Sequence, residues 1–148
     1  MIWTEQTRLA YAIALAAHKG QVDKAGRPYI EHVRYVAEQM TDEVSTTVAL
    51  LHDLFEDTLV TADDLTAPPI SMPAEVISSV SALTHRKDDG RTYMEYIADV
   101  AKNPVAKTVK IADLNHNMML ERLGHDATEQ DISRNKRYAK ALMYLQEN

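Results

Sequence analysis

Apolar side chains recur every three to four residues along nearly the whole chain, and a chain so patterned buries one side of successive helices. Leu9, Ala12, Ile13 and Ala16 form a first stripe, and Ile30, Val33, Ala37 and Met40 a second. Val44, Val48, Leu51 and Phe55 form a third, behind the capping candidates Thr41 and Asp42. Val76, Ile77, Val80 and Leu83 follow Pro73, a favourable helix-start residue, and Tyr93, Tyr96, Ile97 and Val100 come next. Asn103-Pro104 predicts the start of a long helix running through Asp113 to about Leu120, stopped by Gly124. Thr128 is placed to cap a last helix carrying Ile132, Leu142 and Leu145. No stretch alternates with a period of two. The breaks are a polar loop at 20–28, an irregular stretch at 58–73 with a short helix expected near 62–65, and a turn at 87–90. The expectation is one all-α helical bundle over residues 1–148.

Composition narrows what such a bundle does. A chain of 148 residues, 45% of them hydrophobic, is long enough to bury a core. It has no cysteine, which excludes disulfides, thiolate zinc sites and a cysteine nucleophile, and fits a cytoplasmic location. Residues 1–8 carry charge and no apolar run, so no signal peptide is expected. No apolar stretch approaches the roughly 20 residues that span a bilayer, so no membrane partner is expected. A net charge of −6 argues against a nucleic-acid partner. A small anion needs only a local positive pocket, which a metal ion or a few clustered cations supply.

Chemistry concentrates in three segments. Leu50-Leu51-His52-Asp53-Leu54-Phe55-Glu56-Asp57 puts a His-Asp pair directly after an apolar run. If the helix continues, Glu56 shares a face with His52 and Asp57 shares one with Asp53. Four ionisable groups at the end of an apolar helix are costly to bury unpaired, and a cation is the simplest compensation. The plainer reading is a helix end with solvated acids. Asp113 lies among Ile111, Ala112 and Leu114, with Asn117 one turn on. His32 opens a helix, and His18 closes one, where a histidine often serves as a cap. Together His32, His52, Asp53 and Asp113 offer two imidazoles and two carboxylates. That set suits Mn²⁺, Fe²⁺, Zn²⁺ or Co²⁺ and leaves coordination positions open for hydrolysis. Glu56 or Asp57 is then the candidate to orient or deprotonate the attacking water.

The order His32…His52-Asp53…Asp113 is the signature of the HD superfamily. The strings AHKGQVDKAGRPYIEH, LLHDLFEDT and KIADLNHN resemble the hydrolase domain of the RelA/SpoT proteins and the free-standing small alarmone hydrolases. The likeness runs from about Ala10 to Tyr144. It implies an HD-domain bundle whose metal, usually manganese, is held by His32, His52, Asp53 and Asp113. It implies Glu56 and Asp57 as the water-activating pair, Lys24 in a base-binding loop, Asn117 near the sugar, and Thr84 and Lys87 against substrate. The reaction it implies is hydrolysis of the 3′-pyrophosphate of (p)ppGpp-type or (p)ppApp-type nucleotides. Asp23 departs from the pattern: relatives commonly carry an arginine there, and an acid cannot stack on a base as a cation. Leu114 and Asn115 also differ from the usual basic-then-apolar pair.

Other residues complete the expectation. Arg86, Lys87 and Arg91 flank a turn and are the better candidates for a phosphate-facing wall, with Lys19, Lys24 and Arg27 behind them. Tyr93 and Tyr96 read as core and rim, and His85, His116 and His125 as structural or exposed. Trp3 either packs the first helix onto the bundle or sits at a contact of a homo-oligomer. Two alternatives stand beside the alarmone-hydrolase reading: an HD nucleotidase or other phosphohydrolase, favoured by Asp23, and a nucleotide-binding protein without catalysis.

Overall fold

A computed structural model describes residues 1–120 and 128–148; Gly124 and His125, read above as a helix stop and a structural or exposed side chain, lie outside the described residues. Among the described residues the chain forms nine helices: α1 (Glu5–Ala17), α2 (Tyr29–Glu38), α3 (Glu43–Leu51), α4 (Leu54–Asp57), α5 (Ala62–Thr66), α6 (Ala74–Ala82), α7 (Tyr93–Ala101), α8 (Pro104–Leu120) and α9 (Glu129–Glu147). The only bridge of β type among them is an isolated antiparallel pair, Val22 with Pro28.

Helix starts are written in local chemistry. Thr4, Thr61, Thr92 and Thr128 each accept a hydrogen bond from the backbone N–H three residues on, and each is answered by that residue's side chain. Such a cap is worth about 1 kcal/mol. Asp42 caps α3 through Ser45 N–H at 2.7 Å, and Asn103 caps α8 through Ala106 N–H at 3.0 Å. Pro73 stands just outside α6 rather than in its first turn.

The centre of the bundle is α3, packed by α1, α2, α6 and α8. Every residue from Ser45 to Leu51 is buried, so this helix has no solvent face. Two stripes need correction. On α1 the buried residues are Thr7, Ala10 and Ala14, while Leu9, Ala12 and Ala16 face outward. Small side chains let α1 sit close against α3, so the larger Leu9 was the misleading guide. On α9, Ala141 and Leu145 carry the packing, and Ile132 is exposed. Trp3 is half-exposed and meets the Tyr11 ring edge-on at 5.6 Å.

The helix does not continue unbroken through residues 52–57. In an unbroken α-helix the Ala49 carbonyl accepts from the Asp53 N–H. Here that oxygen accepts from the His52 ring Nδ1 at 2.6 Å and from the His52 N–H at 3.5 Å. The chain turns at His52-Asp53 and restarts as α4. This break aims the pair inward at the end of the most buried helix. Leu51 is fully buried beside it, so Leu51→Ala is expected to lower unfolding free energy by about 2–5 kcal/mol, read by urea denaturation.

Candidate metal centre

Three elements converge below the break. His32 lies in the first turn of α2, His52 and Asp53 in the turn after α3, and Asp113 midway along α8. One ligand atom from each of the four lies within 4.8 Å of all the others. His32 Nε2 is 2.9 Å from Asp113 Oδ1 and 3.8 Å from Asp53 Oδ2. His52 Nε2 is 3.0 Å from Asp53 Oδ2 and 3.4 Å from Asp113 Oδ1. His32, His52 and Asp113 are buried, and Asp53 nearly so.

The donor chemistry fits a cation. A carbonyl only accepts, so His52 Nδ1 carries the proton given to Ala49. His52 Nε2 is then a buried nitrogen with no hydrogen-bond partner among the described residues, facing two carboxylates. Burial pushes the His52 imidazole down, but Asp53 and Asp113 outweigh it and hold it well above its ordinary value. Burial raises Asp53 and Asp113 as well. His52 brings Asp53 down to about 2, while Lys110, His32 and His52 bring Asp113 well below the carboxylate range. A divalent ion replaces the protons such a cluster must otherwise hold.

Groups behind the ligands set their aim. His32 Nδ1 and His116 Nδ1 are 2.7 Å apart, a distance at which one ring donates and the other accepts. Burial and His32 push His116 down, toward the neutral form that accepts. With its Nδ1 proton given to His116, His32 keeps an Nε2 lone pair for an ion. His116 stacks between His32, at 5.0 Å, and Tyr35, at 4.0 Å. The Tyr29 hydroxyl donates to Asp53 Oδ2, and Asn117 Nδ2 donates to Asp113 Oδ1 at 3.0 Å. Lys110 Nζ reaches Asp113 Oδ2 at 2.9 Å.

His32, Asp53 and Asp113 of the cluster line a cleft of about 600 Å³. Glu56 and Asp57 line it, as do Lys24, Lys87 and Asn117. Glu56 accepts from the His85 backbone N–H, and burial raises its carboxyl to about 7. Asp57 is also raised, by burial first and Asp53 second. Asp23 lines the cleft too, and its Oδ1 accepts from Ala25 N–H at 2.8 Å and Arg27 N–H at 3.0 Å. That short turn, with Gly26 at φ +80°, projects Lys24 toward Tyr138, whose hydroxyl is 3.5 Å from Lys24 Nζ.

Thr84 and Arg86 fall outside this cleft and line a neighbouring one. Thr84 Oγ1 bonds back to the Val80 carbonyl at 3.0 Å, and Arg86 donates to the Phe55 carbonyl at 3.3 Å. Arg91 is held by Asp89 and Asp99, and Arg27 by Glu31, so neither serves the phosphate-facing wall. Sequence reasoning missed Tyr29, Lys110 and Arg137, which also line the cleft, and gave His116 no part in aiming a ligand. Lys110, Asp113 and Asn117 share one face of α8, and that spacing was the available signal. Tyr29 and Arg137 carried no comparable mark.

The chain resembles the RelA/SpoT proteins. It is 34% identical over 124 residues to a guanosine-3′,5′-bis(diphosphate) 3′-pyrophosphohydrolase of Vibrio cholerae, covering 77% of this chain and 18% of that protein. It is 33% identical over 122 residues to a GTP pyrophosphokinase of Myxococcus xanthus, covering 74% and 16% respectively. The bifunctional (p)ppGpp synthase/hydrolase SpoT of Escherichia coli is 32% identical over 124 residues, covering 77% and 18%. This chain therefore spans less than a fifth of the curated relatives it matches. No family model matches it. In structure it superposes on a metazoan ortholog of SpoT that hydrolyses ppGpp, with a TM-score of 0.77, 24% identity, and coverage of 98% of this chain and 87% of the other. The fold is the HD-type helical bundle. Among the described residues, no helix is long and apolar enough to cross a membrane.

His116→Ala removes the acceptor that fixes the His32 ring. Affinity for Mn²⁺, measured by calorimetry, is expected to fall about 10–100-fold with the helical circular dichroism unchanged; a change under about threefold would refute the role.

Proposed function

We propose that this chain is a divalent-metal-dependent phosphohydrolase that removes the 3′-pyrophosphate of a (p)ppGpp-type or (p)ppApp-type nucleotide. The observation that carries the reading is the unpartnered, buried His52 Nε2 facing two carboxylates, with a raised acid, Glu56, on the same cleft. The curated relatives bear both pyrophosphokinase and pyrophosphohydrolase names, so the names alone do not assign this segment. A cation cluster beside an acid pair suits hydrolysis, where water is the acceptor. Mn²⁺ is our choice among the ions that a mixed imidazole and carboxylate set accepts. With no cysteine in the chain, a reducing cytoplasm is the setting we assign.

His32, His52, Asp53 and Asp113 hold the ion in this reading. A divalent ion there lowers the pKa of a water it binds and offsets charge on a phosphoryl oxygen. Glu56 takes the proton of the attacking water, held in place by the His85 N–H. Asp57, also raised, stands ready to orient the same water. The water oxygen bonds to the phosphorus next to the ribose, the bond from that phosphorus to the 3′-oxygen breaks, and the proton passes to the 3′-oxygen. Pyrophosphate and the nucleoside 5′-di- or triphosphate leave. Lys24, Lys87 and Arg137 supply positive charge along the walls for the remaining phosphates. Asn117, which lines the same cleft, is our candidate for contacting the sugar.

Asp23 favours a second reading, since it puts a carboxylate in the cleft beside Lys24. An HD nucleotidase of different specificity then replaces the alarmone hydrolase.

Incubation of Mn²⁺-loaded protein with ppGpp, ppApp and 5′-mononucleotides separates these readings. Pyrophosphate release from a 3′-pyrophosphorylated nucleotide is expected. Cleavage of 5′-monophosphates alone selects the nucleotidase, and turnover of none overturns both. Glu56 works deprotonated, so kcat/KM is expected to climb as pH rises toward about 7 and to fall below it. A bound cation moves this limb to lower pH. Glu56→Gln should erase the limb in the pH–rate profile and reduce kcat about 10²–10⁴-fold.

A further inference from the structure

One cation in the cleft has no part in the steps above. Lys110 stands three residues before Asp113 on α8, its side chain only 15% exposed, and its Nζ donates to Asp113 Oδ2 at 2.9 Å. An ammonium has three N–H donors. Among the described residues that contact is its one hydrogen bond, and the Tyr96 ring lies 5.5 Å from Nζ. The remaining donors belong to a group that lines the cleft along with Glu56 and Tyr93.

Orienting Asp113 does not account for this lysine. The other carboxylate oxygen, Oδ1, already accepts from Asn117 at 3.0 Å and lies 2.9 Å from His32 Nε2. A neutral donor at Oδ2 would complete the set without burying another charge, and burying an ion with unmet donors costs several kcal/mol. An anion arriving in the cleft satisfies those donors, and the phosphate chain is the anion that the proposed reaction brings.

We propose that Lys110 is a catalytic residue whose ammonium grips a non-bridging oxygen of the phosphoryl group under attack. This rests on the hydrolase reading. As the water oxygen bonds to phosphorus and the bond to the 3′-oxygen breaks, negative charge grows on the non-bridging oxygens. A fixed ammonium in a half-enclosed site meets that charge without reorganising. The proton still travels from water to Glu56 and on to the 3′-oxygen, so Lys110 stays protonated throughout.

The test compares wild type with Lys110→Met and Lys110→Gln, each checked for folding by circular dichroism. Three quantities are read: kcat on the 3′-pyrophosphorylated nucleotide, Mn²⁺ affinity by calorimetry, and affinity of the Mn²⁺-loaded protein for inorganic pyrophosphate. Expected are a loss of about 10²–10³-fold in kcat, Mn²⁺ affinity within about threefold of wild type, and clearly weaker pyrophosphate binding. Added alkylammonium should partly restore kcat, with saturation, in a Lys110→Ala variant, whose truncation opens room for it. Lys110→Gln keeps a neutral donor for Asp113 but no charge, and should remain impaired. Unchanged kcat overturns the proposal, as does a loss that extra Mn²⁺ fully repairs, since Lys110 then serves only Asp113. If wild type hydrolyses none of the nucleotides, the hydrolase reading itself fails. Pyrophosphate affinity then still decides the Lys110 contact, and equal affinity in wild type and variants rejects it.

Discussion

The structure depends on keeping two imidazoles and two carboxylates together where water barely reaches. Each charge alone is expensive to bury, and the four are tolerable only as a compensated set. The helix that delivers two of them, α3, is buried on every side from Ser45 onward. Its end is therefore in the core by construction. A histidine there must point somewhere useful, and the break at His52-Asp53 is how it does so. By taking the Ala49 carbonyl with its own ring, His52 ends the helix, fixes its tautomer and frees Nε2. One hydrogen bond thus joins backbone geometry to ligand chemistry.

Around that point the bundle adds layers of aim. Tyr29 holds Asp53, and His116, clasped between two rings, holds His32. On α8, Lys110 and Asn117 approach the two oxygens of Asp113 from either side along the helix. The acid pair is treated differently. Glu56 sits at the cleft edge, tied to a backbone N–H of the loop after α6 rather than to a charged partner. Burial keeps its carboxyl raised against the pull of the His85 N–H and of Lys110, while Asp53 and Asp113 are driven down. One cleft thus holds two populations of carboxylate separated by environment, one driven down and one raised.

Asp23 shows how a departure from a family pattern is absorbed. Its carboxylate is engaged with two backbone N–H groups of its own turn, so it has a structural job whatever it does to a bound base. The turn it builds projects Lys24 beside Tyr138 of α9. Lys24, which the likeness assigns to a base-binding loop, keeps a cation at that end of the cleft. Family likeness predicts which chemistry is present more securely than which base is read, because metal ligands answer to a fixed ion while base contacts can be redistributed.

The sequence by itself determined the helices, most of their starts, and the residues able to hold an ion. Those depend on spacing and capping, which are local: Thr128 and Asn103 cap what they were expected to cap. Local pattern also misled where packing overruled it. Leu9 falls on the periodic apolar stripe with Ala12 and Ala16, yet Ala10 and Ala14 are the buried face, since close helix approach rewards small side chains. Thr84 and Arg86 carried suitable chemistry, but their partners at Val80 and Phe55 turn them to another cleft. Only the tertiary structure decided that His32 meets Asp113, 81 residues away, that α3 breaks rather than continues, and that Lys110 and Tyr29 join the site. The physical reason is that distance and burial belong to the packed bundle. A carboxylate on a helix is an ordinary surface group until neighbouring helices close over it, and no stretch of chain shorter than the fold records which ones do.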